Sequence, residues 1–299
     1  MREVRWERMF PDELEAAFEA CPVVYLPYGL CEPHGPQCAV GLDALKAHAI
    51  CRTAAHRHGG IVAPADYWHI HEVGSFASWG HKAIGEARPW LTALPPWMHF
   101  KNVCYHVRAI DALGFHAAIL FTGHYGPNWE DLKTLLGILQ PHFATRLYGL
   151  PDFEANEPGF PETGEMGDHA GKVETSLLWA TEPACVDISR LPENGAPGPH
   201  FGMGVSAPLS DRRAGEQMVE NEIRWLGAKS RALLEEYAKL SIRPRQALSF
   251  IEVERIWRDE VNPQLPSFRT MQPSMPEENG HSQVSRWNLN WTIPGDWNF

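Results

Sequence analysis

Three short stretches of this chain set imidazole and carboxylate side chains close together among glycines. The first is Gly29-Leu-Cys-Glu-Pro-His-Gly-Pro, followed by Gly41-Leu-Asp43. It offers Glu32, His34 and Asp43, and carboxylate plus imidazole plus carboxylate is a donor set for a catalytic divalent metal such as Zn²⁺ or Mn²⁺. The plainer alternative is that Asp43 caps a helix while His34 occupies a turn. The second stretch, Phe121-Thr-Gly-His-Tyr-Gly-Pro-Asn128, sets His124 beside small neighbours, where a ring can approach an ion without crowding. The third, Gly167-Asp-His-Ala-Gly-Lys-Val-Glu174, places His169 and Glu174 at the head of a helix. Each alone reads equally well as an ordinary loop. All three follow strands or open helices, which points to one site at the carboxyl edge of a sheet, where open α/β sheets bind ligands.

Other residues earn a blander reading. Cys31 and Cys38 flank His34, but their spacing matches no structural zinc pattern and harder ligands stand beside them. Gly202-Met-Gly204 has no lysine after it, so it is not read as a phosphate loop. His56 and His58 close a helix, where a cation complements the dipole. No nucleophile elbow is present, and hydrolysis by a metal-activated water needs none.

The elements that must position these residues are legible from the hydrophobic pattern. Residues 1–19 read as a helix with Pro11 in a tolerated position. Pro22–Tyr28 is a continuous apolar run, the signature of a strand buried on both faces. Asp43 heads the helix Ala44–His58, stopped by Gly59-Gly60, and Ile61–Pro64 is a second strand, completing a βαβ unit. The grammar repeats with a helix over Phe100–Leu113, a strand over His116–Thr122, a helix over Trp129–Gln140 and a strand over Ala144–Leu150. Helices follow over Lys172–Ala180 and Arg212–Lys239. The spacing predicts one α/β domain over residues 1–240. Residues 241–299, rich in Pro, Asn and Trp, are too aromatic for a disordered tail. They read as an extension packing on that domain or on a neighbouring subunit.

Composition sets the outer bounds. The 299 residues are 44% hydrophobic and 21% charged, ordinary for a globular protein. The longest apolar runs, such as Ala117–Thr122, are too short to cross a bilayer, which argues against a membrane role. The N-terminal MREVRWERMFPDELEAAF lacks an apolar signal core, so a cytoplasmic location with six reduced thiols is expected. A formal net charge of −11 with no offsetting basic stripe argues against nucleic acid as a partner.

The blocks LPYGLCEPHGPQCAVGLDALKAHAI, GFHAAILFTGHYGPN and HAGKVETSLLWATEPACVD resemble, in order, those of the creatininase (creatinine amidohydrolase) family, over about half of the chain. The resemblance implies a three-layer α/β/α sandwich with a mostly parallel central sheet. It also implies a two-metal hydrolytic centre (Zn, Mn or Fe) and a homo-oligomer, commonly a hexamer. By position Glu32, His34, Asp43 and His124 match the family's ligands, with Asp43 as the bridge, and His169 matches its proton-handling histidine. One departure stands out: members acting on creatinine carry Gly-His-Tyr-Glu, that glutamate binding the second metal, whereas this chain has Gly126 there. Glu174 is the expected substitute, with Glu130 as the alternative. A Pro-Gly-Thr segment of the family is replaced by YWHIHEVGSFASWGHKAIG, so His71, Trp79 and His81, with Tyr125, are expected to shape a small-molecule pocket.

The function expected is cleavage of a C–N bond in a cyclic or linear amide by a metal-activated water. Homologues also act on formamides, peptides and sugar-derived cyclic ketones, which leaves hydrolysis of a keto-inositol as one alternative. A metal-binding assembly protein without turnover is another.

Overall fold

The structure is a computed structural model that describes residues 2–70, 88, 90–126, 128–156, 168–241 and 247–271. Its centre is a four-stranded sheet of β1 (Val23–Tyr28), β2 (Ile61–Val62), β5 (Ala117–Thr122) and β6 (Arg146–Pro151), in the order β2-β1-β5-β6. All three pairings are parallel. A separate parallel pair joins β3 (His69–Ile70) to β4 (Ala93–Leu94).

Alternation along the strands divides the core in two. Val24, Leu26, Ala118 and Leu120 face one side. There they meet α1 (Pro11–Ala20), α3 (Pro96–Ala112) and α4 (Asn128–Leu139). Val23, Tyr25, Ala117, Ile119 and Phe121 face the other side, against α2 (Leu42–His58) and α6 (Arg212–Ala238). Because β1 and β5 point their alternate side chains into both layers, both strands are wholly buried, as their unbroken apolar runs require. The result is the helix–sheet–helix sandwich expected. A further helix, α5 (Lys172–Thr181), packs Val173 and Leu177 on Met218 of α6.

The N-terminus departs from expectation. α1 begins only at Pro11, and the preceding chain instead pairs Arg5 with Val62 beside β2. The Glu3 carboxylate accepts the backbone N–H groups of Val4 and Arg5 at 2.9 and 3.0 Å, holding that segment out of a helix. Burial of Val4 favours the extended form.

Past residue 241 the described chain forms α7 (Phe250–Ile256) and a run of short turns through Met271. Val253, Trp257, Val261, Leu265 and Phe268 are buried in the same core as Phe100, each such side chain contributing about 1.5–3 kcal/mol. Asp131 of α4 fastens the segment by accepting the N–H groups of Arg269 and Thr270, both at 2.8 Å. Residues 272–299 lie outside the described residues. Among the described residues no helix is long and apolar enough to cross a membrane, and all six cysteines are free.

The chain runs from β1 outward to β2, then crosses to β5 and β6 on the opposite side of β1. The strand order therefore reverses between β1 and β5. At such a switch point the loops leaving the carboxyl ends diverge and open a crevice.

Candidate metal centre

The loops leaving β1 and β5 carry Glu32, His34 and His124 to that crevice. Asp43 arrives from the first turn of α2, because the helix lies directly on the strand ends. Two glycines permit the approach. A Cβ on Gly29 would come within 2.2 Å of the Ala44 nitrogen, and one on Gly123 within 2.2 Å of the Asp43 carbonyl oxygen. Asp43 is thus a residue of the helix, not its cap; the N-cap is Gly41. Glu174 comes from the first turn of α5, and His169 from the turn before it. Asp43 and Glu174 both sit in the first turns of helices, where the macrodipole attracts negative charge.

Asp43 is the hinge of the arrangement. Its Oδ1 lies 3.2 Å from His34 Nε2, and its Oδ2 lies 3.1 Å from His124 Nδ1. Glu32 Oε1 stands 3.0 Å from His124 Nδ1, and Glu174 Oε2 stands 3.4 Å from His34 Nε2. Two donor triads result: Glu32, Asp43 and His124, and His34, Asp43 and Glu174, each with its donor atoms within 4.8 Å of one another. Glu32, His34 and His169 form a third such group.

The ring orientations are fixed from behind. His34 Nδ1 lies 2.9 Å from the Glu32 carbonyl oxygen, which only accepts, so Nδ1 donates there and Nε2 is the atom turned inward, the one that would ligate a cation in place of its proton. By the same reasoning His169 donates from Nε2 to the Pro33 carbonyl at 2.9 Å, turning Nδ1 toward Glu32 Oε1 at 3.8 Å. The His169 side chain is 26% exposed, whereas those of the other five residues are at most 6% exposed. It therefore forms the solvent-facing wall.

The electrostatics belong to a site short of positive charge. Burial alone would push the Asp43 carboxyl up, but the imidazoles of His34 and His124 hold it well below the usual range. Burial would push His34 down, yet Asp43, Glu174 and Glu32 raise it to about 9. His124 is raised well above its ordinary value against the same burial, by Glu32 and Asp43. Protons on the rings thus neutralise packed carboxylates, a task that cations can take over.

Residues with no motif of their own complete the surroundings. Lys46, fully buried on α2, donates to Glu174 Oε1 at 3.0 Å and lies 2.9 Å from Asp152 Oδ2. Its one sequence signal is a lysine three residues after Asp43 on an otherwise apolar stripe that includes Ala47, Ile50 and Ala54. Asp152 follows β6, and nothing in its spacing marks it. The stretch dismissed as a phosphate loop also lies here: a Cβ on Gly202 would stand 3.0 Å from the Pro33 carbonyl oxygen and 3.1 Å from His169 Nε2.

The residues expected around the pocket fare differently. The Tyr125 ring is buried, with Lys46 Nζ 3.9 Å from its centroid. His71, Trp79 and His81 lie outside the described residues. His69, of the same stretch, is buried with its ring 5.4 Å from that of His124. Glu130 is not brought to the centre; it pairs with Arg269 on the surface.

A parallel α/β/α sandwich with a buried carboxylate–imidazole cluster at its switch point offers donor groups that could hold divalent cations. A family model for creatinine amidohydrolase matches residues 7–232. The creatinine amidohydrolase of Pseudomonas putida is 26% identical over 229 residues, covering 66% of this chain and 84% of that protein. A mutant creatininase complexed with creatine superposes with a TM-score of 0.62 at 26% identity, over 77% of this chain and 98% of that one. A creatininase in its Mn form gives 0.60 at 26% identity, over 79% and 99%. The chain belongs to the creatininase family and is a hydrolase of the amidohydrolase type.

Proposed function

We propose that this hydrolase holds two divalent cations, Zn, Mn or Fe, and cleaves a C–N bond of a cyclic or linear amide. One observation carries the reading: the two oxygens of Asp43 face imidazoles of two different donor triads, as a bridging carboxylate must. The residues present fit such ions. Asp43 Oδ1 and His34 Nε2 are buried and 3.2 Å apart, yet they are not aligned as a hydrogen bond to each other or to another group. Two donors aimed into one space in this way suit a shared cation.

In this reading Glu32, Asp43 and His124 would hold one ion, and His34, Asp43 and Glu174 would hold the other. Two such cations would supply Lewis acidity toward the substrate carbonyl and would bring the pKa of a water down to about 7. The chain's own contribution to the reaction is His169. With Nε2 committed to the Pro33 carbonyl, Nδ1 can take the proton of the attacking water and deliver it to the leaving nitrogen as the C–N bond breaks. Buried Glu32, beside that ring, stabilises the imidazolium in transit.

Elemental analysis of protein purified without chelator tests the centre, with two equivalents of metal per chain expected. A hydrolysis screen of cyclic amides, formamides and inososes tests the chemistry. Amide turnover supports the proposal, whereas activity confined to inososes would replace its substrate class. The family resemblance also supports a homo-oligomer, and a 33.7 kDa monomer in light scattering at micromolar concentration would end that part of it.

A further inference from the structure

Glu174 is a flexible side chain, and ordering one of this kind costs rotamer entropy. Here both of its oxygens are engaged by the chain itself. Oε2 accepts the N–H of Ala170 at 2.9 Å while facing His34 Nε2 at 3.4 Å. Oε1 accepts from Lys46 Nζ at 3.0 Å. Ala170 lies in the left-handed region, with φ of 50°, which no side chain favours and which surrounding structure must impose.

Lys46 has no solvent contact, and its second partner is Asp152 at 2.9 Å. A lone ammonium next to a divalent cation would repel it. A lysine already neutralised by a buried carboxylate can direct a ligand without adding net positive charge. Tyr125 closes this arrangement from above, its ring face on the ammonium.

Resting on the two-metal reading, we propose that Lys46, neutralised by Asp152, is a positioning residue for the second cation. It clamps Oε1 of Glu174 so that Oε2 alone is presented beside His34 and Asp43. The other triad, Glu32, Asp43 and His124, contains no atom held by Lys46 among the described contacts. The pair therefore tunes one of the two positions and leaves the other.

The test is titration of chelator-stripped protein with Mn²⁺ alone, followed by calorimetry, beside thermal melts. Lys46→Met by itself strands a buried Asp152 charge and risks misfolding. The informative variant is Lys46→Met/Asp152→Asn, which removes both charges together. Wild type is expected to show two binding events. In the double variant one event keeps its affinity and the other weakens by about 10–100-fold, the usual effect of losing an outer hydrogen-bond partner of a ligand. Asp152→Asn alone, which keeps the lysine on Glu174 but removes its neutralising carboxylate, should weaken the same event and leave the other unchanged. Two events with wild-type affinities in the double variant would overturn the proposal, as would a parallel loss of both with a lowered melting temperature. Wild type that binds no Mn²⁺ would overturn the metal centre itself, a separate and distinguishable failure.

Discussion

Two walls of buried histidines meet at the sheet edge, and they behave in opposite ways. On one side His34 and His124 contact Glu32, Asp43 and Glu174, and both rings are driven toward the protonated form. On the other, His69 and His99 lie with ring centroids 4.1 Å apart, near Tyr28, with no carboxylate in contact among the described residues. Burial, the mutual presence of the rings and His124 push His69 well below its ordinary value. Burial, His106 and His124 likewise push His99 down to about 3. His69 and His124 have ring centroids only 5.4 Å apart. Depth is the same for all four rings, so depth decides nothing. Whether a carboxylate stands within about 4 Å determines whether a buried imidazole is a charged partner or a neutral wall.

The comparison breaks most sharply at Asp43, which serves two imidazoles at once. Asp43→Asn should cost more metal affinity at both positions than the 10–100-fold typical of an outer partner, read by elemental analysis and by titration. Retention of both metals at wild-type affinity would refute the bridge. His169 comes next, since it is the partly exposed member of the charged wall. His169→Ala should keep both metals and the fold while turnover of an accepted amide falls by about 10²–10⁴. Loss of metal would make it a ligand instead, and undiminished turnover would remove it from the chemistry.

The neutral wall gives a prediction that needs no metal. The His99 ring titrates near its ordinary value when unfolded and at about 3 when folded, so the native state binds fewer protons in between. Its contribution to stability is present above about pH 6.5 and is lost as pH falls toward 3. His99→Leu, of similar volume, should flatten the acid side of the stability curve, checked by urea midpoints at pH 7 and pH 4.5. An unchanged acid slope would mean that the ring is not held neutral.

The smallest effect concerns the reverse case, a buried carboxyl with no cation in contact among the described residues. Glu222 of α6, touched by Asn156, is pushed well up, chiefly by burial and then by Asp152. A carboxyl raised on folding contributes most below its unfolded value, and that contribution fades as pH rises through the folded one. Glu222→Gln should therefore raise the melting temperature more at pH 8 than at pH 5, by calorimetry. A larger gain at pH 5 would contradict the raised carboxyl.

The six residues that the structure gathers at the crevice each carry a local signal in the sequence, Asp43 by heading a helix. Glu32 and His34 follow a buried apolar run, His124 sits beside Gly123, and His169 and Glu174 open a helix. The elements were legible for the same local reason, since strand and helix periods are written within a few residues. The helix expected from the N-terminus gives way over residues 2–5 to an extended segment, with one 3-10 turn at Trp6–Arg8, because the competing interaction, pairing of Arg5 beside β2, is not local. Lys46 and Asp152 show the same limit: a lysine within an alanine-rich helix looks like a solvent-facing residue until its partners are known.

The sequence by itself therefore determined the alternation of strand and helix and the residue types of the centre. It could do so because propensity, periodicity and steric room act over one or two turns of chain. Only the tertiary structure decided that Asp43 faces two imidazoles, that Lys46 is buried between Glu174 and Asp152, and that of four buried histidines two are pushed toward the protonated form and two away from it. Those outcomes depend on through-space distances between residues as far apart in sequence as Lys46 and Glu174. Electrostatic energy follows that separation and the burial around it, neither of which is written in the order of the residues.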